Sequence, residues 1–354
     1  MMSDNNTKAL LSEHFRAFPR LEIQDVFKFL HQSSFGCEHL VSSLDAATEY
    51  IAREYSEMRP ARDEILPLDG EYSRVPLSYM DNGLTAETLG KLFFLSAKKE
   101  ENGLSDLENK LAVASKLVRE GLLPFGEKDF DEAVAEWKRL GYPAVRHSQS
   151  FRDNYAPSYR VISNKFVPFL PIFARIDKLL SEKERLTVAI DGGSASGKST
   201  LAQMLEQVYS CTVFHMDDFF LPFEKRTAER MNEVGGNVDY ERFLSEVLTP
   251  LSNGEKINYK RFDCSTMSLG DGTEIAPEKL VIVEGAYSMR PNLVKYYDLS
   301  VFLDISPKLQ RERIGRRNSP EFAERFFNEW IPLENIYFEK TSIKERCDLM
   351  IKIL

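Results

Sequence analysis

The sequence predicts an α/β protein, with a doubly wound parallel sheet in its C-terminal half and a mainly α-helical N-terminal domain. Two observations support this prediction. From Leu186 onward, short apolar runs alternate with helical patterns, which indicates parallel strands joined by crossover helices. Before that point, apolar residues recur at three- and four-residue spacing, which indicates amphipathic helices.

The chain of 354 residues is longer than one typical domain and is long enough for two hydrophobic cores. We divide it into a helical domain over residues 1–165, a connector over residues 166–185 and a second domain over residues 186–354. The connector has two prolines followed by a helical pattern, which predicts a segment that packs rather than a flexible linker.

Composition narrows the range of functions. A net charge of −9 argues against a general nucleic-acid-binding protein, which would have a basic face. No apolar run reaches the ~20 residues that span a bilayer, and the first residues have no signal-peptide core. Because the four cysteines form no CxxC pair, we expect neither a metal cluster nor a disulfide framework, and a cytoplasmic location is the simplest expectation.

Helical patterns and apolar runs give the order of the elements. The N-terminal helices are predicted at Asp25–Leu30, Leu40–Tyr55, Leu89–Lys99, Leu104–Glu120 and Phe130–Leu140, and Tyr72–Tyr79 reads as a short extended segment. The C-terminal strands are predicted in LTVAI, CTVFHM, LVIVE and LSVFLD, with helices from Gly197, near Tyr240–Leu248 and from Pro307. Ligands bind such sheets beyond the carboxyl ends of the strands, so functional residues are expected there.

The first of these strands ends in AIDGGSASGKSTLA, in which Gly192–Ser199 match the P-loop pattern G-x-x-x-x-G-K-S. Glycines let the backbone curl so that N–H groups point at phosphate oxygens, and the start of the following helix adds partial positive charge. A glycine-rich turn that binds nothing would rarely show this pattern between a strand and a helix. Lys198 is expected to reach the β- and γ-phosphates of ATP, and Ser199 to ligate Mg²⁺. The predicted nucleotide contacts are Gly192, Gly193, Ser194, Ala195, Ser196, Gly197, Lys198, Ser199 and Thr200.

A carboxylate at the end of a neighbouring strand is expected to hold the water shell of the metal. Glu284 ends LVIVE, and Asp304 ends the FLD run. Either acid could instead cap the turn that follows it. The metal role is favoured for Glu284 and the capping role for Asp304, because Asp304 precedes the helix that starts at Pro307.

The stretch FHMDDFF places two adjacent acids, Asp217 and Asp218, at the end of the second strand. Adjacent carboxylates repel each other and lose hydration beside apolar residues, so the pair is costly unless it is used. Phosphoryl transfer to an alcohol needs a carboxylate that orients the hydroxyl and accepts its proton. We predict this role for Asp217 and a capping role for Asp218; alternatively, the pair only begins a loop.

The P-loop, the MDDFF segment, the EGAY segment that begins at Glu284 and a later arginine-rich helix together resemble the uridine kinase, phosphoribulokinase and pantothenate kinase group. The nicotinamide riboside kinases, which have a similar DDFF, belong to this group too. The resemblance covers about Leu186–Leu354, roughly half of the chain. In that family the aspartate at the position of Asp217 is the catalytic base, so the resemblance implies an ATP- and Mg²⁺-dependent kinase.

The resemblance also implies a lid helix that closes over the phosphates. The segment SPKLQRERIGRRN places Arg311, Arg313, Arg316 and Arg317 along the helix after Pro307. Arg313 and Arg317 share a face, with Arg316 beside them. Because guanidinium groups bind phosphate bidentately and stay charged, Arg313 is predicted to assist transfer, and Arg316 and Arg317 to bind the nucleotide. The alternative is a solvated basic face.

An acceptor pocket is predicted between Asp217 and Glu284. Uridine kinases have a histidine three residues after the aspartate that Asp263 resembles, whereas here Met267 lies near that position. This departure removes support for pyrimidine-nucleoside specificity and leaves the reaction type unchanged. The arginines of this region could recognise an acidic acceptor or pair with Glu224, Glu229 and Glu233. The predicted acceptor contacts are Asp217, Arg226, Arg230, Asp239, Tyr259, Phe262, Asp263 and Glu284.

Two segments of the N-terminal domain concentrate polar and aromatic residues. Arginine and tyrosine clusters can recognise anions and rings, but the favoured interpretation is domain packing with each polar group satisfied locally. A metal site is less favoured, because His31 and His39 are eight residues apart without a third ligand at helical spacing. The residues concerned are His31, Glu38, His39, His147, Arg152, Tyr155, Tyr159 and Arg160.

We therefore expect a kinase that phosphorylates a hydroxyl of a small molecule, such as a nucleoside or a related ribose-bearing compound. The alternative is a nucleotide-dependent switch or adaptor, in which the P-loop domain regulates the N-terminal domain. The guanine-specifying NKxD motif is missing, since NKFV at residues 164–167 lacks the acid and precedes the P-loop.

Overall fold

The computed structural model describes residues 2–37, 43–58, 64–97, 102–263 and 265–354, with only the backbone described for residues 2–4. The chain forms two compact units, Met1–Asp177 and Lys178–Leu354. The boundary between them falls within residues 166–185, the segment that the sequence marks as a connector, and inside a helix.

The N-terminal unit is mainly helical, as predicted. Each of the five predicted helical segments corresponds to an observed helix, α2 to α6, whereas the first and seventh helices are not anticipated by the sequence pattern. In the described residues the helices are α1 (Met2–Ala17), α2 (Ile23–Phe35), α3 (Leu44–Ser56), α4 (Ala86–Ser96), α5 (Gly103–Arg119), α6 (Glu127–Arg139), α7 (Gln149–Tyr155) and α8 (Leu170–Glu182), the last of which contains the unit boundary.

This unit also contains a small antiparallel sheet in the order β1 (Leu66–Pro67), β2 (Tyr72–Pro76) and β3 (Tyr159–Ser163). Strand β2 is the predicted extended segment, and all five of its residues are buried. In the register of β2 and β3, Arg74 pairs with Val161. The sheet therefore carries a charged residue into the interior of the unit.

The C-terminal unit has the predicted doubly wound sheet. Five parallel strands lie in the order β10-β9-β4-β8-β5. Every residue of the central strand β4, which pairs with β8 and β9, is buried, as expected for a parallel strand whose two faces are covered by helices. The strands of this unit are β4 (Leu186–Gly192), β5 (Cys211–His215), β6 (Ile257–Asp263), β7 (Ser268–Ile275), β8 (Leu280–Glu284), β9 (Leu299–Ile305) and β10 (Leu349–Ile353).

Strands β6 and β7 form a separate antiparallel hairpin, which the sequence analysis does not predict. The helix predicted near Tyr240–Leu248 is α11 followed directly by a π-helical turn over Leu244–Leu248 and then α12. The helices of this unit are α9 (Lys198–Val208), α10 (Ala228–Asn232), α11 (Tyr240–Phe243), α12 (Thr249–Asn253), α13 (Pro307–Arg317), α14 (Pro320–Arg325), α15 (Ile331–Thr341) and α16 (Ile343–Arg346).

The register of the sheet brings the ends of three strands together. Glu284, the last residue of β8, pairs with Ile190 on β4 and with His215, the last residue of β5. The loop after β4 therefore begins beside the ends of β8 and β5. Among the helices of the described chain, none is long and apolar enough to cross a membrane.

Candidate active site

The loop between β4 and α9 is curled by residues with positive φ. Gly192 has φ 148°, and a Cβ there would lie 2.5 Å from the carbonyl oxygen of Leu303, so only glycine fits. Gly197 has φ 101°, and no atom lies within 4 Å of the position of a Cβ. Ala195 adopts φ 61°, an uncommon conformation for a residue with a side chain and one that clusters at functional sites.

Hydrogen-bonding groups of this loop fit a phosphate chain. The Ser196 hydroxyl is buried and has no hydrogen-bond partner in the described part of the molecule. Lys198 Nζ donates to the carbonyl oxygens of Gly192 and Gly193, at 2.8 and 3.1 Å. Because α9 begins at Lys198, its first N–H groups also face the loop. An unpartnered hydroxyl, a lysine and a helix N-terminus are donors that suit phosphate oxygens.

Glu284 and Ser199 bring two oxygen ligands together. The Ser199 hydroxyl donates to Glu284 Oε1 at 3.1 Å, and Glu284 is buried. Hydroxyl and carboxylate oxygens suit Mg²⁺, which keeps several waters and is completed by substrate phosphates. Within the described ranges no group of three or more His, Cys, Asp or Glu side chains could hold a metal ion, so an all-protein site is not formed. The oxygens present fit a Mg²⁺ that is shared with a nucleotide.

His215 is a site residue that the sequence analysis missed. Its Nδ1 lies 2.6 Å from Glu284 Oε1. This hydrogen bond raises the pKa of His215, the negative charges of Glu284, Asp218 and Asp217 add to the effect, and partial burial opposes it. The only signal in the sequence is the position of His215 at the end of β5, two residues before Asp217.

Asp217 lies in a 3₁₀ turn over Met216–Phe219, directly after β5. Its side chain is exposed to solvent, but the surrounding protein removes enough water to raise its pKa. The charge of Lys198 lowers the pKa of Asp217, and the charge of Glu284 raises it. The P-loop lysine and the acid at the end of β8 therefore both act electrostatically on the Asp217 carboxylate. An exposed carboxylate with a raised pKa is suited to accept a proton.

The structure corrects the capping role predicted for Asp218. Its carboxylate accepts a hydrogen bond from the Tyr259 hydroxyl at 3.3 Å and pairs with Arg261 at 3.4 Å. Asp218 therefore fastens the turn after β5 to the β6–β7 hairpin rather than capping the turn. The sequence could not show this, because the hairpin itself was not predicted.

The lid helix predicted from the sequence is α13. Arg313 donates to the carbonyl oxygen of Ala195 at 3.2 Å, so this arginine reaches the P-loop. Arg316 and Arg317 are exposed, and Arg317 packs over the Phe326 ring at 5.3 Å. Of the three arginines, the structure brings Arg313 to the loop and leaves the other two on the surface.

The capping role favoured for Asp304 is wrong. Ser306 is the N-cap of α13, and its hydroxyl accepts a hydrogen bond from the N–H of Leu309 at 3.3 Å. Asp304 instead forms an ion pair with Lys344 at 2.7 Å. Ser306 stands immediately before Pro307, a position that suits an N-cap serine better than Asp304 two residues earlier.

The arginines predicted to contact an acceptor are engaged within the unit. Arg230 forms two hydrogen bonds with Glu241, at 2.8 and 2.7 Å, and a weaker one with Glu233 at 3.4 Å. Arg226 donates to the carbonyl oxygen of Leu221 at 2.8 Å. Arg230 therefore pairs with nearby acids, the alternative that the sequence left open. Its main partner is Glu241, which was not among the three glutamates expected.

The remaining predicted acceptor residues also have structural contacts. Asp239 is buried, caps α11 and pairs with Lys225 at 2.8 Å. Tyr259 and Phe262 are buried residues of β6, and Tyr259 stacks on Phe219. The Asp263 carboxylate accepts hydrogen bonds from the Ser265 N–H and hydroxyl, at 2.7 and 2.6 Å. These residues therefore have partners within the unit, and their contact with an acceptor stays a prediction.

Helix α15 holds the P-loop through two residues that the sequence analysis missed. The buried Glu334 carboxylate accepts hydrogen bonds from the Ser194 N–H and hydroxyl, at 2.9 and 2.6 Å. Tyr337 donates to Asp191 at 2.8 Å. Glu334 and Tyr337 share a face of α15 because they are three residues apart. No local sequence signal connects positions separated by 140 and 146 residues.

Asp191, the residue before the P-loop, is fully buried. Burial raises its pKa to about 6, although hydrogen bonds from the N–H groups of Met289 and Gly192 and from Tyr337 oppose the change. These bonds join the end of β4 to the segment after β8 and to α15. Asp191 therefore fixes the base of the loop.

The polar residues singled out in the N-terminal unit satisfy one another locally. His147 bonds Asp25 at 2.9 Å and Tyr159 at 2.7 Å, and Arg160 pairs with Glu54 at 2.9 Å. Arg152 donates to Gln149 at 2.7 Å, and the His31 ring packs against Phe35. These contacts agree with the packing interpretation. Glu38 and His39 lie outside the described residues.

The fold and the loop after β4 together define the C-terminal unit as a P-loop domain. Residues 187–319 match the Phosphoribulokinase / Uridine kinase family. The match lies within the C-terminal unit and includes the P-loop, the turn that holds Asp217, and Glu284.

Individual relatives match the same half. A uridine kinase from Clostridium perfringens is 26% identical over 189 residues, which cover 48% of this chain and 88% of that protein. The bifunctional alpha-galactosidase/sucrose kinase AgaSK of Mediterraneibacter gnavus is 30% identical over 164 residues, covering 40% of this chain and 17% of its own. A solved structure of a possible uridine kinase from Bacillus stearothermophilus is 23% identical and covers 51% of this chain and 98% of that chain, with a TM-score of 0.39.

Proposed function

We propose that this protein transfers the γ-phosphate of ATP, with Mg²⁺, to a hydroxyl group of a small molecule. The observation that carries the proposal is the position of Asp217, an open carboxylate with a raised pKa that is electrostatically coupled to Lys198 of the P-loop and to Glu284. The family supports a kinase, and the residues of this chain support the particular roles.

The P-loop residues bind the nucleotide. The loop N–H groups and Lys198 hold the phosphates, and Lys198 exchanges its present bonds to loop carbonyl oxygens for bonds to phosphate. Ser199 and Glu284 would hold Mg²⁺, which would supply positive charge to offset that of the phosphates. Arg313, which already contacts the loop at Ala195, is close enough to add positive charge there.

Asp217 acts on the acceptor. Its carboxylate orients the acceptor hydroxyl and takes the proton of that hydroxyl as the oxygen bonds to the γ-phosphorus, while the bond from the γ-phosphorus to the bridging oxygen breaks and ADP leaves. A raised pKa makes the carboxylate a stronger base, which favours this proton transfer. The short turn after β5, anchored by the contact of Asp218 with Tyr259, keeps Asp217 in place.

The acceptor class is proposed from the relatives. Uridine and sucrose, the substrates in the names of two relatives, are both polyhydroxy compounds, and an aspartate base serves any hydroxyl that reaches it. We infer a nucleoside or a related sugar-bearing acceptor.

The decisive substitution is Asp217→Asn. The amide keeps the size of the side chain but is a poor proton acceptor, so ATP binding should be unchanged while transfer falls ~10²–10⁴-fold. Transfer is measured with radiolabelled ATP and a panel of nucleosides, vitamins and sugars, and ATP affinity by calorimetry.

Asp218→Asn is the matched control for Asp217→Asn, because the Asp218 carboxylate contacts the β6–β7 hairpin. We expect this variant to retain transfer within ~10-fold of the unaltered protein, since the amide oxygen still accepts the hydrogen bond from Tyr259 and only the ion pair with the exposed Arg261 is lost. Equal losses in the two variants would remove Asp217 from the mechanism. ATP hydrolysis that no acceptor stimulates, but a protein partner does, would favour a nucleotide-dependent switch.

A further inference from the structure

His215, the last residue of β5, is linked through its side chain to Glu284, the last residue of β8. Strand β5 lies at the edge of the sheet and pairs with β8. The register of the two strands ends at His215 and Glu284, where the chain enters the turn that carries Asp217. The side-chain bond of 2.6 Å therefore extends the contact between the two strands into the proposed active site.

The two carboxylate oxygens of Glu284 have different surroundings. Oε1 accepts a hydrogen bond from the Ser199 hydroxyl at 3.1 Å and lies 2.6 Å from Nδ1 of His215. Because an ionised carboxylate only accepts hydrogen bonds, Nδ1 is the ring nitrogen that donates. Oε2 accepts no hydrogen bond within the described ranges, and it is not fully buried. One oxygen of Glu284 is therefore fixed by two donors, and the other is left unused.

Asp25, the carboxylate that pairs with a histidine in the N-terminal unit, shows the opposite arrangement. Its Oδ1 lies 2.9 Å from His147 Nδ1 and accepts a hydrogen bond from the Ser148 N–H at 3.0 Å. Its Oδ2 accepts hydrogen bonds from the Ser148 hydroxyl at 2.6 Å and the Glu22 N–H at 2.9 Å. Both oxygens of this structural carboxylate are occupied, as is usual for buried polar groups. The unused oxygen of Glu284 therefore indicates a ligand.

We propose that His215 is a positioning residue for Mg²⁺, because it holds Oε1 of Glu284 and keeps Oε2 available to the metal or to a water bound to it. The proposal rests on the metal role proposed above for Ser199 and Glu284. The terminal torsion of a glutamate has a broad distribution, so a carboxylate with one weak partner turns readily. Without His215, Glu284 keeps only the longer bond from Ser199. Partners that orient a metal ligand in this way contribute strongly to metal affinity.

The same contacts argue against His215 as a metal ligand itself. Mg²⁺ takes oxygen ligands, whereas His215 offers only nitrogen. Its Nδ1 is engaged with Glu284. The imidazole therefore acts on the metal through Glu284.

The test measures metal binding by the full-length protein saturated with AMPPNP, an ATP analogue with nitrogen between the β- and γ-phosphorus atoms. The probe is Mn²⁺, because free Mn²⁺ gives an electron paramagnetic resonance signal that is lost when the ion binds. His215→Asn keeps an N–H donor close to the place of Nδ1, and His215→Leu has none. Neither replacement is charged, so a difference between the two variants reports the hydrogen bond and not a charge on the imidazole.

We expect His215→Asn to bind Mn²⁺ within ~3-fold of the unaltered protein and His215→Leu to bind it ~10-fold more weakly. The affinity for AMPPNP in EDTA should be the same in all three proteins, because the role of His215 concerns the metal. Thermal unfolding shows whether each variant is folded. His215→Ala, which also lacks a donor, repeats the comparison with a smaller side chain.

Equal Mn²⁺ affinity in the asparagine variant and in a folded variant without a donor would overturn the proposal. A loss of AMPPNP affinity in EDTA as large as the loss of Mn²⁺ affinity would also overturn it, because His215 would then shape the P-loop. If the unaltered protein with AMPPNP binds Mn²⁺ no more tightly than AMPPNP alone, the metal role of Ser199 and Glu284 fails, and the role of His215 fails with it. None of these readouts needs phosphoryl transfer, so a failure to phosphorylate any acceptor would be distinguishable from a failure of this proposal.

Discussion

Each unit of this protein pairs a carboxylate with a histidine, and the two pairs titrate in opposite directions. In the N-terminal unit, burial lowers the pKa of His147 to about 4, more than its bond to Asp25 raises it. In the C-terminal unit, the hydrogen bond to Glu284 raises the pKa of His215, more than burial lowers it. Both pairs join a histidine to a carboxylate by a hydrogen bond, so the surroundings of each pair account for the opposite pKa shifts of the two histidines.

Exposure is the feature of the surroundings that differs. The His147 side chain is 6% exposed, whereas that of His215 is 40% exposed. A sealed histidine stays neutral because its charged form would lose hydration, while a partly hydrated one gains its charge beside an acid. The sealed pair, His147 with Asp25, suits a structural role. The open pair, His215 with Glu284, lies where a ligand can reach it.

The substitution with the largest expected effect removes the charge of Glu284 from the open pair. Glu284→Gln keeps the shape of the side chain but removes the charge that holds the water shell of Mg²⁺. We expect the Mg²⁺ concentration for half-maximal transfer to rise ~10–100-fold, as when outer-shell partners of metals are removed. A Mg²⁺ titration of the transfer rate measures this.

Asp304→Asn is the matched control for Glu284→Gln, because it makes the same chemical change near the end of β9, on the other side of β4, where Asp304 pairs with Lys344. This variant should keep the Mg²⁺ requirement of the unaltered protein. A similar Mg²⁺ requirement in both variants would remove Glu284 from the metal site.

The sealed pair is tested by the dependence of stability on pH. Between pH 6.5 and about 4, unfolded His147 binds a proton and folded His147 does not, so the free energy of unfolding falls as pH falls. One proton contributes a slope of up to about 1.4 kcal/mol per pH unit. His147→Gln should reduce the slope by about this amount. Denaturant unfolding is followed by the fluorescence of Trp137, which lies in this unit, in a Trp330→Phe background.

Tyr159→Phe is the control for the pH experiment. It removes the hydroxyl that bonds His147 Nε2 but leaves the histidine, so the slope should remain. If His147→Gln unfolds with the same pH dependence as its parent, His147 is not the neutral buried group that the structure indicates.

The smallest expected effect concerns a third buried carboxylate, which has no histidine beside it. Asp191 has a pKa raised to about 6, and Tyr337 donates to it at 2.8 Å. Tyr337→Phe should destabilise the C-terminal unit by about 1 kcal/mol, the net value of one hydrogen bond. The fluorescence of Trp330 in a Trp137→Phe background reports the unfolding of this unit.

Tyr287→Phe is the comparison variant, since its ring packs 4.9 Å from the ring of Tyr337 but the bond from Tyr337 to Asp191 stays intact. A loss of stability in Tyr287→Phe as large as that in Tyr337→Phe would mean that removing any hydroxyl from this ring cluster, rather than breaking the bond to Asp191, accounts for the effect.

The sequence predicted the parallel sheet, most of the helices and the P-loop, because each rests on residues that are close along the chain. Apolar periodicity marks helices and buried strands, and a glycine-rich turn of fixed length shows its own geometry. Glu284 could be proposed as a partner of Ser199 because strand ends in such a sheet meet at one edge, and the structure places the two 3.1 Å apart.

Contacts between distant residues were not predicted in the same way. The roles expected for Asp218 and Asp304 were wrong, because their partners, Tyr259 and Lys344, lie on elements whose positions the sequence does not give. The link from Glu334 to the P-loop was missed for the same reason.

By itself the sequence determined the class of the C-terminal fold and the phosphate-binding loop, since local backbone preference and the order of apolar runs are enough to specify them. The tertiary structure decided which polar groups are sealed, which are open and which lack a partner. Those properties depend on burial and on the approach of distant side chains, and they set the opposite pKa shifts of His147 and His215.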